Sequence, residues 1–175
     1  MKYFSELIER RRSIRKYTPQ AIDPEVVQLI LEAGLLAPTS KNKKPCHLVA
    51  IEDKGQLELL SKCKKGGCGF IADCALAVIV AADPLVSDVW IEDAAIVATF
   101  MQLQAEDLGL GSCWVQIRDR QTADGYDAAG YIRSVIGAPM PLQVLAIITF
   151  GHKKEEKTPH DRENLGWENI HIDKY

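Results

Sequence analysis

Apolar residues at Phe4, Leu7 and Ile8 follow a helical spacing, so the chain opens on an amphipathic helix expected over residues 4–12. Tyr17-Thr18-Pro19 breaks that period. Asp23-Pro24-Glu25 then combines an N-cap acceptor, a proline at the first helical position and an acid in the first turn, which predicts a second helix. Its buried stripe is expected at Val26, Val27, Ile30, Leu31 and Leu35, with Gly34 allowing close packing. Residues 37–45 are loop by composition, 47–52 read as a strand, and Leu57, Leu59 and Leu60 mark a short helix ending near Cys63. A basic, glycine-containing loop occupies 64–69, and Cys74 opens an apolar strand over 75–82. The longest periodic stretch, 88–110, has acids at both ends and no charge from Ala94 to Ala105. A helix apolar on nearly every side must be buried on every side, so this one is expected at the centre, covered partly by its own chain and partly by a second subunit. Residues 112–117 read as a strand, 127–136 as a helix stopped by Gly137-Ala138-Pro139, and 142–150 as the most hydrophobic strand. Beyond Gly151 the pattern turns polar: residues 153–157 read as a solvated turn or linker. The tail carries Leu165, Trp167, Ile170, Ile172 and Tyr175 with little periodicity, so it needs a surface to lie on, such as a partner's.

The length of 175 residues suits one domain with a real core, at 47% hydrophobic and 26% charged residues. A net charge of −3 argues against a broad nucleic-acid surface, and no apolar run is long enough to span a bilayer. Met1 to Glu6 contains no apolar core of a secretory signal, and the cysteine count of five is odd, so reduced thiols in a cytoplasm are expected. Cys63, Cys68 and Cys74 lack the paired knuckles of common zinc sites, and no metal site is assigned.

Against that acidic background, four of the six residues from Arg10 to Arg15 are cationic. If the chain leaves the helix and extends here, alternation places Arg11, Ser13 and Arg15 on one face and Arg12 and Ile14 on the other. Two guanidinium forks around a hydroxyl suit a phosphate or an anionic ring edge. The alternative is a basic helix end left in water. The loop Pro38-Thr39-Ser40-Lys41-Asn42-Lys43-Lys44-Pro45 offers small hydroxyls, an amide and lysines, either as an anion- or ring-facing edge or as a solvated turn. The glycines and lysines of 64–69 lack the spacing of a phosphate-binding P-loop.

The Arg-Arg-Ser-Ile-Arg run, the loop from Pro38 to His47, the Leu108-Gly109-Leu110-Gly111-Ser112-Cys113-Trp114 segment, and a strand ending in Gly151 before a tail with Arg162 occur in that order. Together they resemble the nitroreductase family of FMN-dependent oxidoreductases in its short form, over nearly the whole chain. The resemblance implies an α+β fold, a mainly antiparallel central sheet flanked by helices with a long buried central helix. Residues 1–150 would form the FMN-binding domain, and residues 151–175 a tail packed on the partner subunit of a homodimer. It implies that Arg11 and Ser13 bind the FMN phosphate and that Arg15 lies toward the pyrimidine end, with Arg12, Pro38 and Thr39 also among the cofactor-binding residues. Ser40 and Asn42 would reach the flavin from the partner subunit. Gln116 or Ile117 would offer a backbone N–H at flavin N5, and Arg162 would return to the phosphate. The implied activity is hydride transfer from NADH or NADPH through flavin N5 to a small acceptor such as a nitroaromatic or quinone, in a ping-pong cycle. No side chain is then needed as a catalytic acid or nucleophile. A flavin-binding or sensing module without turnover is the alternative. Two departures stand out: the family's Asn-x-Gln-Pro-Trp reads Asn42-Lys43-Lys44-Pro45-Cys46 here, and a basic position two residues before Arg162 holds His160.

Overall fold

The computed structural model describes residues 3–175; Met1 and Lys2, part of the stretch read above for a secretory signal, lie outside the described residues. The chain runs α1 (Phe4–Arg10), α2 (Pro24–Leu36), β1 (Cys46–Ile51), α3 (Lys54–Leu60), β2 (Leu76–Ala82), α4 (Trp90–Asp107), β3 (Gly111–Gln116), α5 (Ala128–Ile136) and β4 (Gln143–Gly151). The strands form one antiparallel sheet of order β1-β2-β4-β3, an α+β arrangement. β2 and β4 lie in the middle and are buried along almost their whole length, which is why both read as continuous apolar runs.

Alternation along these strands splits the core into two layers. Ala77, Ile79, Ile147, Val115 and Ile117 face Leu57 and Leu60 of α3 and Ile132 of α5. Val78, Val80, Leu145 and Ile148 face Ile30 of α2 and Val97, Ala98 and Met101 of α4. α2 and α4 approach closely at Gly34, where a Cβ would stand 2.9 Å from Met101 Cγ and 3.1 Å from Leu48 Cδ1.

Two expectations need correction. α1 ends at Arg10 rather than Arg12 and buries no residue within this chain. Leu35, expected in the buried stripe of α2, is 67% exposed, because Ile30 and Gly34 set the inward face and Leu35 follows one step round it. α4 is central as expected: Ala94, Val97, Ala98, Met101 and Ala105 are buried by this chain, and Ile96 and Phe100 on its other face are left exposed by it. Among the described residues no helix is long and apolar enough to cross a membrane.

Candidate functional site

Once α1 has ended, the Arg11–Thr18 segment runs along the sheet at the ends of β3 and β4. Ile14 N–H donates to the Ser112 carbonyl at 2.9 Å, making a parallel bridge between Ser13 and Ser112. An antiparallel bridge between Tyr17 and Lys153 follows, with Thr18 N–H on the His152 carbonyl and Lys154 N–H on the Lys16 carbonyl, each at 2.9 Å. Ile14 and Tyr17 are buried against glycines, since a Cβ on Gly111 would meet Ile14 Cβ at 2.8 Å and one on Gly151 would meet Tyr17 Cδ1 at 2.8 Å. The Tyr17 hydroxyl donates to the Ile14 carbonyl (2.6 Å) and shares a hydrogen bond with Thr149 Oγ1 (2.7 Å). Burial pushes that phenol well above its ordinary pKa.

The 153–157 run is not a solvated turn. Lys153, Glu155 and Lys157 are half-buried while Lys154 and Glu156 are exposed, the period-2 signature of extended chain. Each inward side chain has a task. Lys153 Nζ pairs with the buried Glu106 carboxylate at 2.8 Å, Glu155 Oε1 accepts the amides of Arg15 (2.7 Å) and Lys16 (3.3 Å), and Lys157 Nζ donates to the Ser13 carbonyl at 2.5 Å. The Arg15 amide bond, with lesser help from Lys157, holds the Glu155 carboxyl below its ordinary pKa.

Arg15 lies over the Phe70 ring, its Cζ 5.9 Å from the centroid. Burial pushes the Cys113 thiol upward, with Arg15 the main influence pulling the other way. Ser13, Arg15 and Lys157 lie together along the clamped segment, Lys157 being bonded to the Ser13 carbonyl. Arg11 is half-buried at the start of that segment, and none of the ion pairs among the described residues involves it. Arg12 instead donates to the Thr158 carbonyl. Arg162 is not brought to Ser13: its Nε pairs with Glu9 of α1 at 2.9 Å.

At the N5-edge candidates, Ile117 N–H is already taken by the Leu145 carbonyl at 3.1 Å, which also accepts from Arg118 N–H at 3.0 Å. Alternation along β3, an edge strand, leaves the Gln116 N–H facing outward. The Gln116 side chain is fixed, accepting from Trp114 Nε1 and donating to the Arg118 carbonyl, both at 3.0 Å.

The Pro38–Asn42 loop sits elsewhere, ahead of β1 at the opposite edge of the sheet from β3. Three strand spacings separate the two edges, about 14 Å. Ser40 N–H donates to Asp93 Oδ1 at 2.7 Å, and Thr39 Oγ1 accepts from Lys44 N–H at 3.0 Å. Asp93 is buried in the first turn of α4, and its Oδ2 accepts from Ser87 at 2.9 Å. These bonds pin a loop in which Lys41, Asn42 and Lys44 adopt φ of 52°, 55° and 48°. Sequence reasoning missed Asp93, Glu155 and Lys157; alternation within 153–157 was the signal available for the last two. Cys63 and Cys74 are buried thiols pushed up to about 12 by burial, and among the described residues no group of His, Cys, Asp and Glu side chains is placed to hold a metal ion.

Comparison with known proteins gives a consistent result. The family model described as the nitroreductase family matches residues 8–66 and 54–152. An FMN-dependent nitroreductase of Clostridium difficile R20291 has a solved structure 40% identical to this chain, covering 97% of this chain and 98% of its own, with a TM-score of 0.94. A nitroreductase family protein of Clostridium difficile 630 is 27% identical, covers all of both chains and has a TM-score of 0.83. A relative from Archaeoglobus fulgidus, provisionally named an NADH dehydrogenase/NAD(P)H nitroreductase, is 29% identical over 97% of each chain.

Proposed function

The chain belongs to the nitroreductase family, and we propose on that premise how it works as an FMN-dependent NAD(P)H oxidoreductase. The observation that carries the reading is the extended Arg11–Arg15 segment clamped on the sheet edge, with Glu155 on the Arg15 amide and Lys157 on the Ser13 carbonyl. That donor set fits a phosphate and an electron-rich ring: guanidinium and ammonium groups, a hydroxyl, and an outward amide on β3. When bound, FMN supplies the hydride carrier, taking hydride from NADH or NADPH and passing it to a small oxidised acceptor, such as a nitroaromatic or quinone, in alternating half-reactions.

The residues position and polarise. Arg11 and Ser13 hold the phosphate. Arg15, fixed through its amide by Glu155, puts positive charge at the pyrimidine end, where negative charge builds on reduction. Gln116 offers its N–H from the edge of β3. Ser40 and Asn42, pinned by Asp93 on the far edge of the sheet, reach the flavin of a partner subunit in a homodimer. The exposed apolar face of α4 at Ile96 and Phe100, and the exposed Trp167, Ile170 and Ile172 of the tail, support that assembly. Arg162 joins the phosphate site only by leaving Glu9, or it remains a link between tail and α1.

The test is direct. Purified protein is expected to bind FMN more tightly than riboflavin, and its flavin absorbance to bleach on anaerobic addition of NADH or NADPH. Equal affinity for riboflavin would remove the phosphate assignment; tight FMN binding without bleaching by either nucleotide would leave a binding module rather than an enzyme.

A further inference from the structure

Two buried carboxylates stand at opposite ends of α4, and each holds a different piece of chain. Asp93, 2% exposed, lies in the first turn. Its Oδ1 accepts Ser40 N–H at 2.7 Å, and its Oδ2 accepts the hydroxyl of Ser87, itself buried, at 2.9 Å. Glu106, 4% exposed, lies in the last turn, and its two oxygens accept from Lys153 Nζ at 2.9 and 2.8 Å. Removing either partner would strand a buried charge, so both bonds are firmly kept. At 1.5 Å per residue the helix holds the two carboxylates about 20 Å apart.

Asp93 takes the Ser40 amide, at the start of a loop whose later amides are closed locally. Asn42 N–H lies on the Thr39 carbonyl, Lys43 N–H on the Ser40 carbonyl and Lys44 N–H on Thr39 Oγ1. Lys41, Asn42 and Lys44 have positive φ, a conformation that such residues keep only where their surroundings impose it. Glu106 takes Lys153, which is bridged to Tyr17. That bridge belongs to the clamp in which Glu155 holds the Arg15 amide and Lys157 the Ser13 carbonyl.

Between its two ends α4 exposes Ile96 and Phe100, near the middle of the span. A second copy seated on this face about a two-fold axis makes a self-complementary contact, and an axis lying across the helix sets the two α4 helices antiparallel. The Asp93 end of one helix then lies beside the Glu106 end of the other. We infer that each α4 serves two different flavins. Glu106 is a positioning residue for the flavin of its own chain, through Lys153 and the 11–18 segment. Asp93 is a positioning residue for the flavin of the partner, through the loop at Ser40 and Asn42. This inference rests on the flavin-site reading above.

Mixed dimers separate the two roles, read out as FMN bound per dimer and its dissociation constant. As homodimers, Arg11→Ala, Asp93→Ala and Glu106→Gln are each expected to bind FMN at least about tenfold more weakly at both sites, the scale of one lost charged hydrogen bond. Co-expression under two affinity tags then pairs unlike subunits. An Arg11→Ala/Asp93→Ala dimer gathers both defects into one site, so its other site should bind one FMN with wild-type affinity. An Arg11→Ala/Glu106→Gln dimer spreads its defects over both sites, and neither should bind like wild type. A general loss of folding would not produce that contrast. Asp93→Asn, whose amide oxygen can still accept from Ser40, should recover most of the affinity. Where the Asp93→Ala chain does not fold, Ser87→Ala takes its place, with a loss of about threefold expected. Homodimers of these variants that bind FMN like wild type would overturn the role of Asp93, and so would an Arg11→Ala/Asp93→Ala dimer without a wild-type site. A wild-type site in the Arg11→Ala/Glu106→Gln dimer would overturn that of Glu106. An Arg11→Ala homodimer that holds FMN as wild type does would instead defeat the flavin-site reading itself.

Discussion

Glu155 accepts the amides of Arg15 and Lys16, and those bonds hold its carboxyl below the ordinary value of 4.5. A carboxylate whose pKa is depressed on folding contributes stability that is fully present above the ordinary value and lost as pH falls through the depressed one. Acidification should therefore loosen the Arg15 backbone, and FMN affinity should fall below the ordinary glutamate range. Glu155→Gln is expected to lack that acid limb and to bind FMN weakly at neutral pH as well; a titration identical to wild type would show that another group controls it. Arg11→Ala should weaken FMN binding by about 1.5–3 kcal/mol, the scale of a lost charged hydrogen bond. Arg10→Ala should change it little, because Arg10 lies exposed in the last turn of α1. Fluorescence titration of both variants checks the pair, and equal losses would mean that the run acts as diffuse charge. At this scale residue type was legible and partner was not. The arginines and Ser13 stand out in the sequence, but nothing local announces that Arg12 donates to Thr158, Arg162 to Glu9, or that Ile117 N–H is taken by Leu145. Those pairings depend on which backbone groups the distant chain leaves open.

Elements were more legible, because each carries its own period or cap. The Asp23-Pro24 start of α2 and the glycine stop of α5 at Gly137 lie where the sequence places them. The segment that could not be read this way is 11–18 with its counterpart 152–158, whose partners are each other. Together they make a two-part clamp across the ends of β3 and β4, and glycines give it room. Gly151→Ala tests that packing. The added Cβ would meet the Tyr17 side chain at 2.8–3.2 Å, and the Tyr17 hydroxyl is held by two hydrogen bonds, so the ring cannot easily swing away. Overpacking of this kind costs about 1–3 kcal/mol, so thermal unfolding should shift downward, with FMN affinity falling alongside because Ser13 and Arg15 ride on the displaced segment. A variant as stable as wild type would mean that the segment shifts as a unit without loss.

For the whole molecule, the decisive feature is what one chain leaves uncovered. α1 buries nothing, Phe100 of α4 is 38% exposed, and Trp167 in the tail is 62% exposed. Such surfaces collect at sites of association. The proposed flavin half-sites add a geometric reason, since Ser40 is bonded to Asp93 in the first turn of α4, at the β1 edge of the sheet, whereas the clamp that holds the Arg11–Arg15 segment pairs with Glu106 in the last turn of α4, at the β3 edge. The uncharged stretch of α4 and the aperiodic tail led to that expectation in the sequence, although the residues to 158 belong to the clamp within the chain and His160 and Arg162 are tied to Glu9 of α1, which leaves the residues after Arg162 to embrace a partner. The appropriate truncation therefore ends at Thr158, which keeps the Glu155 and Lys157 contacts and removes Arg162, Trp167, Ile170 and Ile172. A ligand that touches two chains stabilises their dimer by mass action. In sedimentation, full-length protein should be a dimer that FMN tightens; the truncated form should stay folded, dissociate more readily, and hold FMN more weakly. A full-length monomer that retains FMN and oxidises NADH or NADPH would overturn the composite site, because every residue needed for the chemistry would then lie within one chain.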